Sequence, residues 1–201
     1  MSPITHLFAS WVVAAKTTDN LRDRRLVALS GILPDLDGSG MLVDVGRHIL
    51  QRGDDFFYYQ KYHHLLFHGV FGALLIGLGL MCFARKRGRV FSLAFLMVHL
   101  HLLCDLLGSR GPSAVDLWPI HYLGPFSHAW TWVWRGQWAL DAWPDRIISL
   151  GLFFWCVKLA IQNGDSVVGV FSRRADEVFV AVLRRWRSQL GRSIERRPTS
   201  Q

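Results

Sequence analysis

The sequence predicts an all-α fold, a membrane-embedded helical bundle with a polar cluster at one end and a C-terminal amphipathic helix. Three observations predict it. Hydrophobic residues fill 51% of the 201 positions and charged residues only 19%, too apolar for an ordinary enzyme surface and too polar for long spans throughout. Residues 63–105 read as an apolar helical hairpin whose open end carries histidines on one arm and a histidine–aspartate pair on the other. Basic residues collect in the turns at the opposite end, as they do on the cytoplasmic side of membrane proteins.

Taken in order, residues 3–15 form a short apolar helix with Thr5 near its start and His6 on its first turn. Residues 16–25 (KTTDNLRDRR) are a polar, basic turn. Residues 26–33 are a second apolar segment, stopped by Pro34 and the turn Asp35-Leu36-Asp37-Gly38-Ser39-Gly40. Both arms are short against the ~20 residues of a complete span, so they are expected as buried or partly inserted helices. Residues 41–60 are a helix plus loop, with His48 at the surface between Arg47 and Arg52.

The main hairpin opens with Tyr62-His63-His64-Leu65-Leu66-Phe67-His68, turns at Arg85-Lys86-Arg87-Gly88-Arg89 and returns to His101 and Asp105. Helical arms over 68–84 and 90–105 would each run roughly 25 Å at 1.5 Å per residue. Their polar ends therefore finish at the same level. Residues 108–144 are loop-rich, with four prolines and six tryptophans that suit a membrane–water boundary, where an indole buries its ring and keeps its N–H hydrated. His121 and His128 are loop residues there, with no role assigned. Residues 146–162 are a further helix, whose Lys158 can snorkel toward an interface.

The expected units are 1–171, a membrane-embedded domain; 172–192, an amphipathic helix on an anionic membrane surface; and 193–201, a disordered tail. Cys82, Cys104 and Cys156 are scattered in apolar runs and make no disulfide framework. No basic–apolar–small order of a cleavable signal is visible. The net charge of +8 is unevenly spread. Segments 34–64 and 105–146 hold six of the 23 basic residues against nine of the 15 acids. The basic excess is therefore read as topology, with no nucleic-acid partner and with the polar cluster on the non-cytoplasmic side.

His101 and Asp105 are four apart, about 40° from each other around a helix, while His99 points nearly opposite His101. Asp105 comes late in its helix, where the dipole disfavours a carboxylate. A buried charge needs a partner, and a cation shared with His101 would supply one. His64 and His68 are again four apart, with His63 rotated by about 100° from His64, and the choice between His63 and His64 stays open. His6 and the Asp35/Asp37 turn reach the same layer, although an Asp beside Pro and Gly also serves plain turn chemistry. The candidate ligands are His6, Asp35, Asp37, His63, His64, His68, His101 and Asp105. Neutral imidazoles with carboxylates suit a divalent metal, zinc first, with manganese or iron also admitted.

Thr5-His6, Leu33-Pro34-Asp35-Leu36-Asp37, His63-His64 with His68, His101-Leu102-Leu103-Cys104-Asp105 and Leu117-Trp118-Pro119 carry a resemblance. The sequence resembles the membrane-bound, metal-dependent hydrolases predicted as the YdjM-like family, over roughly residues 1–120. Leu65 and Phe67 depart from it, standing where the family usually has Gly and a hydroxyl residue. The resemblance implies a multi-pass protein of the bacterial inner membrane that hydrolyses a phosphoester or a related lipid or envelope substrate, at phosphorus or carbonyl, with one to three divalent ions. It implies catalytic work by Asp35 or Asp37, as ligand or general base. A more distant similarity to zinc-dependent phospholipase C would make Asp105 a bridging ligand. The expected partners are membrane lipids and a small-molecule or lipid substrate from the envelope. The rival readings are a divalent-metal transporter, a haem carrier using His68 with His99 or His101, and a metal-binding structural membrane protein.

Overall fold

The computed structural model describes residues 1–50, 57–63 and 66–195. The fold is all-α, with eight α-helices and one small β-hairpin among the described residues. Helix α1 (Pro3–Thr17) begins where the Ser2 hydroxyl accepts the Thr5 N–H, with proline at the first helical position. Helix α2 (Leu21–Ser30) starts five residues before the segment expected at 26–33. Asn20 caps it by accepting the Asp23 N–H at 3.0 Å, and seven of the ten residues of the expected basic turn are helical, 16–17 in α1 and 21–25 in α2. Leu33 opens a 3-10 turn (Leu33–Ser39) that carries Asp35 and Asp37. Helices α3 (Gly40–Ile49) and α4 (Phe57–Tyr62) follow.

The central hairpin is α5 (Val70–Met81) and α6 (Arg87–Gly108). Its first arm is shorter than expected: His68 lies in the bend before α5 and not on the helix, while position 64 lies outside the described residues. Strands β1 (Ile120–His121) and β2 (Thr131–Trp132) pair antiparallel within the Trp-rich loop. Helix α7 (Trp143–Asn163) ends at Gly164, whose φ of 82° is the left-handed conformation that favours glycine. A 3-10 turn (Val167–Val170) leads to α8 (Arg173–Glu195). That helix runs three residues past 192, so 193–195 are helical where a disordered tail was expected. Residues 196–201 of that tail lie outside the described residues.

Helix α1 packs on α2 and α7, and α6 packs on α5 and α2. Trp11, Val27, Ala28, Ala73, Ala94 and Val98 form the centre of the core, each with no exposed surface. Short alanines at the contacts let the helices approach closely. One end of the bundle is clasped by polar contacts. Asp23 accepts the backbone N–H groups of Arg85 and Lys86 at 2.8 and 2.9 Å, and Arg24 grips Asp165 with both carboxylate oxygens within 2.7 Å. The start of α1, the end of α2, the start of α5 and the end of α6 meet at the other end. The outer faces of α5, α6 and α7 are apolar and exposed, at Leu75, Leu78, Leu96, Leu103, Leu150 and Phe154 among others. Among the described residues, α6 is long and apolar enough to cross a membrane. The stretch Leu21–Ser30 with Leu33–Ile49, bent by 45°, is a second candidate.

Candidate metal centre

Asp105 is the centre of the polar end. Helix α6 carries it one turn after His101, and both side chains are buried. His101 Nε2 lies 2.9 Å from Asp105 Oδ2. His68, held in the bend before α5, brings its Nε2 to 3.2 Å from His101 Nε2 and 3.7 Å from Asp105 Oδ2. His6 stacks on the His101 ring with centroids 3.8 Å apart and sets its Nε2 3.1 Å from Asp105 Oδ1. Asp35 approaches from the 3-10 turn, with Oδ1 3.8 Å from His101 Nε2. His6, His101 and Asp105 form one set of three donors that could hold a metal ion, and Asp35, His68 and His101 form another. Within each set the donor atoms lie within 4.8 Å of one another.

The tautomers follow from what sits behind the rings. His101 Nδ1 is 2.8 Å from the Gly31 carbonyl oxygen, which can only accept, so that nitrogen carries the proton. His68 Nδ1 is 3.1 Å from Asp37 Oδ2 and donates to it in the same way. Asp37 Oδ2 also accepts the Leu66 and Phe67 N–H groups at 3.0 and 2.7 Å, so Asp37 stands behind His68 and holds the bend. With both rings neutral, each Nε2 is a lone-pair acceptor aimed at the other and at a carboxylate oxygen, whereas a proton on His101 Nε2 would make it a donor to Asp105. Three acceptors converging on one buried point need positive charge among them.

The spacing fits a metal ion. Ligand atoms about 2.0–2.1 Å from a tetrahedral zinc lie roughly 3.3 Å from one another, and the inward contacts here run from 2.9 to 3.8 Å. Asp35 Oδ2 and His6 Nδ1 are buried without a hydrogen-bond partner among the described residues. Burial, then the neighbouring His101 ring, pushes the His6 imidazole down to about 4 against the pull of Asp105. It is therefore a neutral donor at physiological pH. Asp105 Oδ1 also receives the Met1 amino group at 2.6 Å and the Ser109 hydroxyl at 2.8 Å.

The remaining candidates fall around this group. His63 stacks on Tyr59 at 4.6 Å and meets Trp118 and His68 edge-on at 5.2 and 5.0 Å. His64 lies outside the described residues. His99 faces away, bonded to the Phe95 carbonyl and the Tyr122 hydroxyl, and His48 is exposed. His121 and His128 meet edge-to-face at 4.5 Å in the Trp-rich loop.

A cavity of about 670 Å³ opens onto Asp35 and Asp105, with Met41, Tyr59, His63, Trp118 and Leu140 in its walls. Burial, then the charges of Asp35 and Asp105, pushes the Tyr59 phenol up to about 12, so it stays protonated. Gln137 joins the roof of this cavity to α6. Its Nε2 donates to the Asp105 carbonyl at 2.7 Å and its Oε1 accepts the Trp118 N–H at 2.9 Å. Sequence reasoning did not find Gly31, Ser109, Tyr59 or Gln137. Two of these contacts are backbone carbonyls, which no residue type announces.

An all-α bundle with exposed apolar flanks and a buried histidine–carboxylate cluster at one end defines a membrane protein with a possible metal-binding centre. Residues 1–169 match the family model described as YdjM inner membrane protein, and the chain belongs to that family. The match reaches past residue 120, where the resemblance in the sequence stopped, and includes all of α7. Comparisons with curated proteins and with solved structures gave no match.

Proposed function

We propose that the chain is a membrane-bound, metal-dependent hydrolase acting on a phosphoester, with a lipid or another amphiphilic envelope compound as substrate. The observation that carries this reading is the convergence of His68 Nε2 and His101 Nε2 on Asp105 while both Nδ1–H groups are spent outward on Asp37 and Gly31. His6, His68, His101 and Asp105 are the residues that would hold the cation, zinc being the ion best suited to this donor set. A divalent ion supplies Lewis acidity and a more acidic water at neutral pH.

The chain's own groups account for the rest. Asp35 lines the cavity and its Oδ2 has no hydrogen-bond partner among the described residues, which suits it to take the proton of the attacking water. Asp37 is a positioning residue, since its Oδ2 already accepts from three nitrogens. The cavity sets Met41, Leu140 and Trp118 beside those carboxylates, a combination suited to a ligand with one polar and one apolar part. The site lies at the end remote from the basic turns, so it faces away from the cytoplasm in a multi-pass arrangement.

Elemental analysis of full-length protein purified in mild detergent tests the metal, and turnover of bis(p-nitrophenyl) phosphate tests the reaction. Wild type is expected to retain a divalent ion and His101→Ala to lose it. Asp35→Asn is expected to keep metal while turnover falls about 10²–10⁴-fold, the usual worth of a positioned base. Unchanged metal content in His101→Ala, or no metal-dependent turnover in wild type, would refute the proposal.

A further inference from the structure

Helix α8 has two faces with different partners. Asp176, Val180 and Arg184, four apart, dock on the bundle. Asp176 accepts from the Ser166 N–H and hydroxyl at 2.8 and 2.6 Å, Val180 is buried, and Arg184 Nε donates to the Ile161 carbonyl at 3.1 Å. These anchors lie at the basic end, where Arg25 also reaches Asp176 at 3.7 Å.

Val178, Val182 and Trp186 repeat the same spacing on the opposite face and are 62%, 40% and 60% exposed. Among the described residues, none buries that stripe. Exposed Arg174 and Arg185 border it within about 60° around the helix. The same end of the bundle also exposes Lys16, Arg22, Arg85, Lys86, Arg87 and Arg89.

We infer that α8 is an interfacial helix whose Val178–Val182–Trp186 stripe enters a bilayer leaflet rich in anionic phospholipid, with the arginines on its headgroups. An apolar stripe edged by cations, on a basic end of an inner membrane protein, is complementary to that surface in both shape and charge. A second copy of the chain would bring its own arginines against these, which like-charge repulsion opposes. The inference is independent of the hydrolase reading.

The test uses full-length protein in lipid nanodiscs, with the Trp186 contribution isolated by subtracting the emission of Trp186→Phe. Brominated phospholipid is expected to quench that contribution in discs containing phosphatidylglycerol. In purely zwitterionic discs the quenching is expected to be largely lost. It should also weaken in Arg174→Gln/Arg185→Gln, and at about 1 M salt, where the screening length is near 3 Å. Equal quenching in both kinds of disc would overturn the anionic preference. Unquenched emission with a water-exposed maximum would overturn membrane insertion. Unquenched, blue-shifted emission with a copy-to-copy cross-link through Val182→Cys would assign the stripe to self-association and overturn the inference.

Discussion

At the scale of single residues, Gly31 does two jobs at once. Its carbonyl fixes the His101 tautomer, and its missing side chain lets α2 end against α1. A Cβ there would meet the Ser10 side chain at once, with the His6 carbonyl at 3.0 Å. Gly31→Ala is therefore expected to cost about 1–3 kcal/mol through overpacking and to weaken metal binding by turning His101. Thermal unfolding and a metal titration read the two effects separately. Asp37→Ala removes no inward-facing donor yet frees His68 to rotate. Its expected cost is about 10–100-fold in metal affinity, the usual range for such an outer partner, with Asp37→Asn losing less because it still accepts.

The legible part of the centre was the part encoded by helical spacing. The four-residue step from His101 to Asp105 and the outward direction of His99 follow from α-helix geometry alone. The turn holding Asp35 and Asp37 was legible from Pro34 and Gly38. His68 was placed correctly in level but not in conformation, because the carboxylate that bends residues 66–68 away from a helix comes from residue 37. A tertiary contact of that kind leaves no local pattern.

At the scale of elements, the two hairpins are clasped by two aspartates with very different leverage. Asp23 is buried and satisfies two backbone N–H groups at the start of the 85–89 turn. Asp23→Ala strands both donors, and the expected loss is about 2–4 kcal/mol of stability, at ~1.5–3 kcal/mol for each bond to a charged acceptor with partial recovery by water. Chemical denaturation in detergent would measure it.

Asp19 also bridges the turns, to Lys86 at 2.7 Å and Arg89 at 3.1 Å, but in open solvent. Hydrogen bonding to Lys86, then its charge and that of Arg89, holds the Asp19 carboxyl below the ordinary 3.8. The folded chain binds fewer protons there than the unfolded one, so this contribution is present above that value and fades as pH falls through the depressed range. High salt is expected to remove most of it, leaving Asp19→Asn and wild type with the same unfolding midpoint.

Helix α2 shows why element boundaries were harder to read than their existence. Residues 16–25 carry enough charge to read as a turn, yet Asn20 is a good N-cap and Asp23 bonds both to it and to the next hairpin. The charged first turn of α2 is solvated on one side and clasped on the other, so charge alone did not mark a loop.

For the whole molecule, the polar centre and the basic clasp lie at opposite ends of α6, whose stretch from Val90 to Asp105 spans roughly 23 Å at 1.5 Å per residue. With native Cys82 replaced by serine, Gly88→Cys and Val115→Cys report on the two ends. Position 88 has open space for a side chain and Val115 is 87% exposed. An impermeant maleimide is expected to label Gly88→Cys only from the cytoplasmic side and Val115→Cys only from the other. Labelling of both from one side would reverse or abolish the proposed orientation.

On the proposed hydrolase reading, Gln137 would bear on how substrates of different size are admitted. By joining the Asp105 carbonyl to Trp118, it makes the ceiling of the cavity ride on the same helix as the central carboxylate. The mouth of the cavity and its carboxylate floor cannot drift apart without breaking that amide's bonds. Gln137→Leu would cut this tie-rod and leave every imidazole in place, so the proposed hydrolysis would lose selectivity against bulky guests before it lost rate.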